Sequence, residues 1–298
     1  MVQVEIIGIG ALNMDKLYLI ERIAEPGEEV RVYEVSEQPG GSAANTIAGL
    51  ARLGVETGFI GRVGDDADGA SLRMELEKEG VDTQGIETAT GRTGIATVLV
   101  DRSGERAMYV YPGANDKLCI TPENRSYAKN AKWLHLSSFV DEDSFDMQKN
   151  ILKGVESKIS FAPGMLYAQK GIDALQEIIT RAEIVFLNRD EIEMLTGLNY
   201  KDGAERLNEI GAAVVVVTLG GDGCYIRTPA AETAVPGYAA KVVDTTGAGD
   251  AFCAGFLCGR LSGRPPDECG RMGNRVAARC VEAVGARTGL PRAKVTTS

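Results

Sequence analysis

The sequence predicts an α/β protein: a doubly wound, mostly parallel sheet with helices on both faces, plus a small β-sheet lid. Three observations predict it. Short β-rich runs alternate with helical patterns through most of the 298 residues, the pattern of strands joined by crossover helices. One run, residues 214–219, is nearly all valine, as suits a central parallel strand buried on both faces. Two stretches, residues 16–33 and 93–111, interrupt the alternation with β-rich sequence that has no helical period.

The strands follow from runs bounded by turn residues, at 4–10, 58–60, 133–136, 159–162, 184–187 and 214–219. Apolar periodicity places helices between them at 43–53, 70–79, 145–155, 173–180, 190–196 and 202–210, and two more at 251–261 and 267–284. The stretch 93–111 reads as a hairpin, with Ile95-Ala-Thr-Val-Leu-Val and Ala107-Met-Tyr-Val-Tyr flanking the polar turn Asp101-Arg-Ser-Gly104. Residues 1–12, 38–91 and 113–298 are therefore assigned to the main domain, and 13–37 and 92–112 to a lid over a cleft. Two surface elaborations without function are the competing reading of the same residues.

Charge and residue usage narrow the function. With 32 Lys+Arg against 42 Asp+Glu the net charge is -10, which opposes nucleic-acid binding. No apolar run reaches the roughly 18 residues of a membrane span, and the N-terminus has no basic leader, so a cytoplasmic location is expected. The six cysteines include no C-x-x-C pair and the only histidine is His135, so neither a zinc site nor a Ser-His or Cys-His hydrolase is expected. His135 lies in an alternating strand pattern and reads as a satisfied sheet residue. Cys253, Cys258, Cys269 and Cys280 fall in an Ala/Gly-rich helical region, where free cysteine serves as a small buried apolar residue.

Glycine is in excess, at 36 residues, or about 12% against a usual share of about 7%. Gly8-Ile-Gly10-Ala-Leu-Asn13 lacks the third glycine of a dinucleotide loop and opens no helix, and the dipeptide Gly-Lys of the Walker loop is absent. The strongest segment is Val243-Asp-Thr-Thr-Gly-Ala-Gly-Asp-Ala-Phe252. A small-residue turn there enters a helix, so free N–H groups and the positive end of the dipole form an anion hole. Asp250 stands in the first helical turn beside it. Its carboxylate either takes a hydroxyl proton during phosphoryl transfer or only complements the helix dipole.

Asp244-Thr-Thr-Gly-Ala-Gly-Asp-Ala-Phe resembles the C-terminal signature of the ribokinase/PfkB carbohydrate-kinase family, and Gly40-Gly-Ser-Ala-Ala-Asn45 followed by Leu50-Ala-Arg-Leu-Gly54 resembles its N-terminal one. The order of motifs matches from Gly8 to about Pro291. The resemblance implies a ribokinase-like fold and a cytoplasmic ATP- and Mg²⁺-dependent kinase that phosphorylates a primary hydroxyl of a small sugar. A nucleoside kinase is the alternative, and a non-catalytic nucleotide- or sugar-binding regulator a more distant one.

By the same resemblance, Asp250 is the catalytic base and Gly247, Ala248 and Gly249 form the anion hole. Asn13, Asp15, Gly41 and Asn45 bind substrate hydroxyls, although Asn45 as a helix-entry hydrogen bond and Asp15 as a solvated turn stay open. Asn188-Arg-Asp-Glu191 matches the Asn-x-x-Glu motif that helps hold magnesium through its waters, or is a helix cap. Asn188, Thr218, Gly220, Gly223 and Asn274 match nucleotide-binding positions. The resemblance also implies a K⁺ site with Asp244, Thr246 and Gly285. Exposed edge strands in the lid, read from the sequence itself, would suit a homodimer.

Ribokinases proper carry lysine where Ser42 stands, and their acidic sugar contact has no counterpart in Leu136-Ser-Ser-Phe-Val-Asp141. Ser160-Phe-Ala-Pro-Gly164 is similar to archaeal nucleoside kinases of the family, which carry Asp where Ala162 stands. Phe139, Tyr18 and Met108 either pack against a base or belong to the lid core, with core the expectation.

Overall fold

A computed structural model describes residues 4–103 and 105–292. Gly104 of the expected hairpin turn, residues 1–3 of the expected N-terminal segment and residues 293–298 of the assigned main domain lie outside the described residues.

Along the chain, β1 (Ile6–Ile9) is followed by β2 (Asn13–Ile20), β3 (Val32–Gly40), α1 (Ser42–Arg52), β4 (Thr57–Gly64), α2 (Ala67–Lys78) and β5 (Asp82–Ala89). Next come β6 (Gly94–Val100), β7 (Arg106–Tyr111), α3 (Pro122–Lys129), β8 (Trp133–Ser137), α4 (Glu142–Leu152), β9 (Lys158–Ala162), α5 (Gly164–Ala168) and α6 (Gly171–Arg181). The remainder comprises β10 (Ala182–Asn188), α7 (Arg189–Thr196), α8 (Tyr200–Ile210), β11 (Val214–Thr218), β12 (Cys224–Arg227), β13 (Glu232–Val235), α9 (Ala248–Leu261) and α10 (Pro266–Cys280).

Nine strands form one sheet in the order β13-β12-β11-β10-β9-β8-β1-β4-β5. It is parallel from β11 to β5, and β12 and β13 extend it antiparallel. The valine strand β11 is thus interior and buried on both faces, with a parallel neighbour on one side only. Successive residues of a strand point to opposite faces, and the core divides accordingly. Ile7, Ile9, Val215 and Val217 join one apolar cluster, with Phe139, Phe161 and Tyr167. Ile6, Val214 and Val216 join the other, with Phe59, Phe252 and Phe256.

The close pairing of α9 with α10 explains the small residues at the C-terminal end. A Cβ at Gly255 would lie 2.7 Å from the Met272 carbonyl oxygen, and one at Gly259 would lie 2.9 Å from Cys269 Sγ. Cys253, Cys269 and Cys280 are buried there as free thiols, and Cys258 is half-buried.

His135 is fully buried on β8, and its Nδ1 lies 3.0 Å from Ser160 Oγ on the neighbouring strand. Burial pushes its pKa from 6.5 down to about 3. The folded state keeps this ring neutral, so between those values the unfolded chain binds the extra proton and stability falls as pH drops. At pH 5 the loss is about 2 kcal/mol. Urea titrations should show a His135→Gln variant losing that much less stability than wild type between pH 7 and pH 5; equal losses would refute the linkage.

A second sheet has the order β3-β2-β6-β7. Its inner face carries Asp15, Ala96 and Met108, and alternation puts Tyr18, Val35, Tyr109 and Tyr111 on the outer one. The strand order reverses between β1 and β8, so the crevice beyond their C-terminal ends is the natural ligand position of this topology.

Candidate active site

The crevice holds a cavity of about 280 Å³ lined by Asn13, Asp15, Gly41, Ser42, Asn45 and Asp250, with Phe139, Val140, Leu166 and Met108 among its apolar walls. All four residues expected to bind substrate hydroxyls are therefore together. Asn13 and Asp15 come from the start of β2, and Gly41 caps α1. Asn115, which the sequence did not single out, fixes this corner: its Nδ2 donates to the Leu12 carbonyl at 3.0 Å and to Asn13 Oδ1 at 2.9 Å.

The expectation of lid core fails for Met108, which is 63% exposed and lines the cavity. Met108 stands on the edge strand β7 beside the open cavity, whereas Val98, its cross-strand neighbour on β6, is buried. Phe139 is buried in the main core while also lining the cavity. Asp141 turns to cap α4, where its Oδ1 accepts the Ser144 N–H at 2.9 Å.

Asp250 lies in the first turn of α9. Ser42 Oγ donates to its Oδ1 at 2.7 Å, and Asn45 Nδ2 to its Oδ2 at 2.9 Å. Burial pushes its pKa up to about 6, against the opposing pull of those two donors and the Arg287 charge. Asp15 is pushed further, to about 7, by burial and by Asp250, with Arg287 opposing. Arg287 is buried, and its Nε donates to Asn45 Oδ1 at 2.8 Å. Asn45 is thus held at both ends of its amide. The loop carrying Arg287 is tied to α1, since Arg52 donates to the Arg287 and Leu290 carbonyls and pairs with Glu79.

Gly247 caps α9 in the left-handed region, at φ 73°. Of the three expected anion-hole amides, that of Ala248 donates back to the Thr245 carbonyl at 3.2 Å. Among the described residues those of Gly247 and Gly249 have no protein acceptor. A Cβ at Gly249 would meet nothing within 4 Å, so a ligand can approach this backbone directly.

On the far side of the same turn lies a cavity of about 650 Å³, lined by Thr218, Gly220, Gly223, Thr245, Gly249 and Asn274 among others. Its size falls in the range of roughly 300–1,000 Å³ for small-molecule sites. Cβ atoms at Gly220 and Gly221 would also face open space, a bare cradle that fits a nucleotide. Asn274 spends its amide on the Val235 and Pro236 carbonyls, at 3.1 and 3.0 Å, bolting α10 to the end of β13.

Asn188 does not line this cavity. It caps α7, with Asn188 Oδ1 accepting the Glu191 N–H and Glu191 Oε2 accepting the Asn188 N–H, both at 2.8 Å. Burial raises the Glu191 pKa, with Asp250 and Asp190 adding to it and the Asn188 N–H opposing. Among the described residues its other oxygen takes no hydrogen bond from the protein, and one such carboxylate oxygen fits contact with a hydrated Mg²⁺ through water. Asp244 is engaged differently. Its Oδ1 accepts from the Thr246 N–H at 2.9 Å and hydroxyl at 2.7 Å, and its Oδ2 from the Gly285 N–H at 2.9 Å.

Arg287, Asn115 and Arg106 (which pairs with Asp244) were missed by the sequence reading, and Ser42 registered only as a departure from a family pattern. The one usable signal was the run Tyr111-Pro-Gly-Ala-Asn115 closing the hairpin, whose turn residues invite a side-chain hydrogen bond to backbone.

The pfkB family carbohydrate kinase model matches residues 4–293. An uncharacterized sugar kinase of Archaeoglobus fulgidus is 46% identical over 82% of this chain and 98% of its own. An ATP-dependent ribose-1-phosphate kinase of Halopiger xanaduensis is 30% identical over 96% and 94%. Among solved structures, ribokinase from Thermotoga maritima superposes with a TM-score of 0.87 at 27% identity, covering 97% of this chain and 96% of that one.

Proposed function

The chain belongs to the pfkB family of carbohydrate kinases, ATP-dependent phosphotransferases with alcohol acceptors, and from that premise we propose that it phosphorylates a primary hydroxyl of a small sugar. The observation that carries this reading is the position of the Asp250 turn, which is a wall of both cavities. The acceptor occupies the smaller cavity, where Asn13, Asp15 and Asn45 offer paired donors and acceptors to vicinal hydroxyls. ATP occupies the larger one, against Thr218, Gly220 and Gly223.

Asp250, aligned by Ser42 and Asn45, accepts the proton of the attacking hydroxyl. The Gly247 and Gly249 amides, with the α9 dipole behind them, stabilise the charge on the phosphoryl group in flight. Mg²⁺, when bound, supplies positive charge at the donor phosphates, and Glu191 holds it through water. Residues 13–37 and 92–112 act as the lid that excludes water, the competing acceptor. The outer face of that lid exposes Val35, Tyr109 and Tyr111, an apolar stripe that suits pairing with a second copy of the chain.

One observation favours a nucleoside as acceptor instead: the apolar wall of Phe139, Val140, Leu166 and Met108 offers stacking surface that a bare sugar does not use. A panel of ribose, fructose, ribose 1-phosphate, inosine, adenosine and cytidine, followed by coupled ADP detection, decides between them. ADP release with ribose or fructose is the expected result. Release with the nucleosides alone moves the assignment to a nucleoside kinase, and none across the panel contradicts the sugar-kinase reading.

A further inference from the structure

The loop beneath the Asp250 turn is where the family resemblance implies K⁺, and a side-chain cation already stands at its carboxylate. The Asp244 carboxylate already accepts three hydrogen bonds from Thr246 and Gly285. A fourth comes from outside the main domain: Arg106, at the start of β7, places one terminal nitrogen 3.2 Å from Asp244 Oδ1 and the other 3.3 Å from Thr246 Oγ1. Three of these four bonds fall on Oδ1 and one on Oδ2, and the charge of Asp244 is matched by a guanidinium. Two backbone carbonyl oxygens lie beside it and share a single weak thiol donor. Those of Thr246 and Ala286 face the Cys280 thiol, at 3.7 and 3.4 Å from Sγ. Burial pushes that thiol up to about 11, so it remains a neutral donor.

The small sheet meets this loop at a second point. A Cβ at Gly285 would lie 1.9 Å from Gln38 Oε1 on β3, so the Gln38 side chain lies directly against the Gly285 backbone. Arg106 therefore reaches Asp244 from a sheet seated on the loop at both of its outer strands. The Asp244 carboxylate is half-buried: burial favours its neutral form, but the bonds from Thr246, Gly285 and Arg106 outweigh burial and hold its pKa below the ordinary value. An unmatched negative charge there would oppose an incoming phosphoryl group at Gly247, three residues away.

We propose that Arg106 is a built-in replacement for the monovalent cation, so that the anion loop of this chain is set without K⁺. It acts through Asp244 as a positioning residue and touches no reacting atom. The proposal rests on the reading of Gly247 and Gly249 as the anion hole.

The test compares the full chain with Arg106→Gln and Arg106→Lys in KCl and in tetramethylammonium chloride, at equal ionic strength of about 0.1 M to fix screening. Thermal melting is read first, because it needs no acceptor. Wild type and Arg106→Lys are expected to melt alike in the two salts, whereas Arg106→Gln gains a potassium-specific rise of roughly 3 °C through linkage to the bound ion. With the best acceptor of the panel, ADP formation by Arg106→Gln should fall about tenfold in tetramethylammonium, in proportion to a lost charge-assisted contact, and recover in KCl. A wild type stabilised or activated several-fold by K⁺ overturns the proposal. So does an Arg106→Gln variant that matches wild type in tetramethylammonium. If no acceptor yields ADP, the kinase reading fails while the melting comparison still decides the role of Arg106.

Discussion

Asp250→Ala is expected to lower kcat by about 10²–10⁴-fold, the usual worth of a positioned general base, while ATP affinity measured by calorimetry stays unchanged. The separation follows from placement: the carboxylate points to Ser42 and Asn45 on the acceptor side, whereas the nucleotide cavity is lined by the backbone of the same turn. The pH profile of wild type carries the same signature. Asp15 and Asp250 are held at about 7 and about 6, so kcat/KM should fall as pH drops through that interval. An ordinary aspartate near 3.8 would leave activity intact there. Near-normal turnover of Asp250→Ala would exclude this residue as the base, and a profile flat down to pH 5 would refute the raised pKa.

Gly247→Ala is expected to be nearly as damaging for a different reason. At φ 73° an alanine is strained, by about 1–2 kcal/mol, and its Cβ would sit 2.4 Å from Ala286 Cβ and 2.6 Å from Ala286 Cα. Backbone cannot yield as a flexible side chain does, so the turn itself must shift, taking both free amides out of register with the phosphoryl group. Loss of such donors lowers kcat by roughly 10²–10³-fold, with a drop in melting temperature alongside. Gly249→Ala is the informative partner, because its Cβ meets nothing in the protein and melting should stay as in wild type. Full turnover in Gly247→Ala would show that the geometry of this turn is not used.

What the sequence revealed, and what it hid, divides by the range of the interactions involved. Strands β1, β8, β9, β10 and β11 were legible because each is an apolar run buried on both faces, a pattern contained in four to seven adjacent residues. Strand β5 was not: Asp-Thr-Gln-Gly-Ile-Glu-Thr-Ala has little β character, and it is a strand because β4 supplies a partner. Strands β12 and β13, as short as β1 but interrupted by Arg227, Glu232 and Thr233, lack its continuous apolar run and were missed. Helix α3 had a visible start signal, Thr121 capping and Pro122 in the first turn, which the reading passed over.

The site divides the same way. Residues in the two glycine-rich signatures were found because their geometry is local. Ser42 with Asp250, Arg287 with Asn45, and Arg106 with Asp244 join positions 208, 242 and 138 residues apart. No window of sequence contains such a pair, and the buried Arg287 looks in the sequence like any surface arginine.

The two cavities also differ in where along the chain their walls are encoded. Among the described residues the larger cavity is lined from Thr218 onward, whereas the smaller one is built from residues up to Leu166 with Thr246, Gly247 and Asp250 from beyond it. On the proposed assignment, donor and acceptor preference are written in separate segments that meet at a single helical turn. Substitutions confined to the first segment can change which alcohol is recognised while leaving the grip on ATP untouched. In an evolving lineage the two specificities can be inherited, and can diverge, as independent traits.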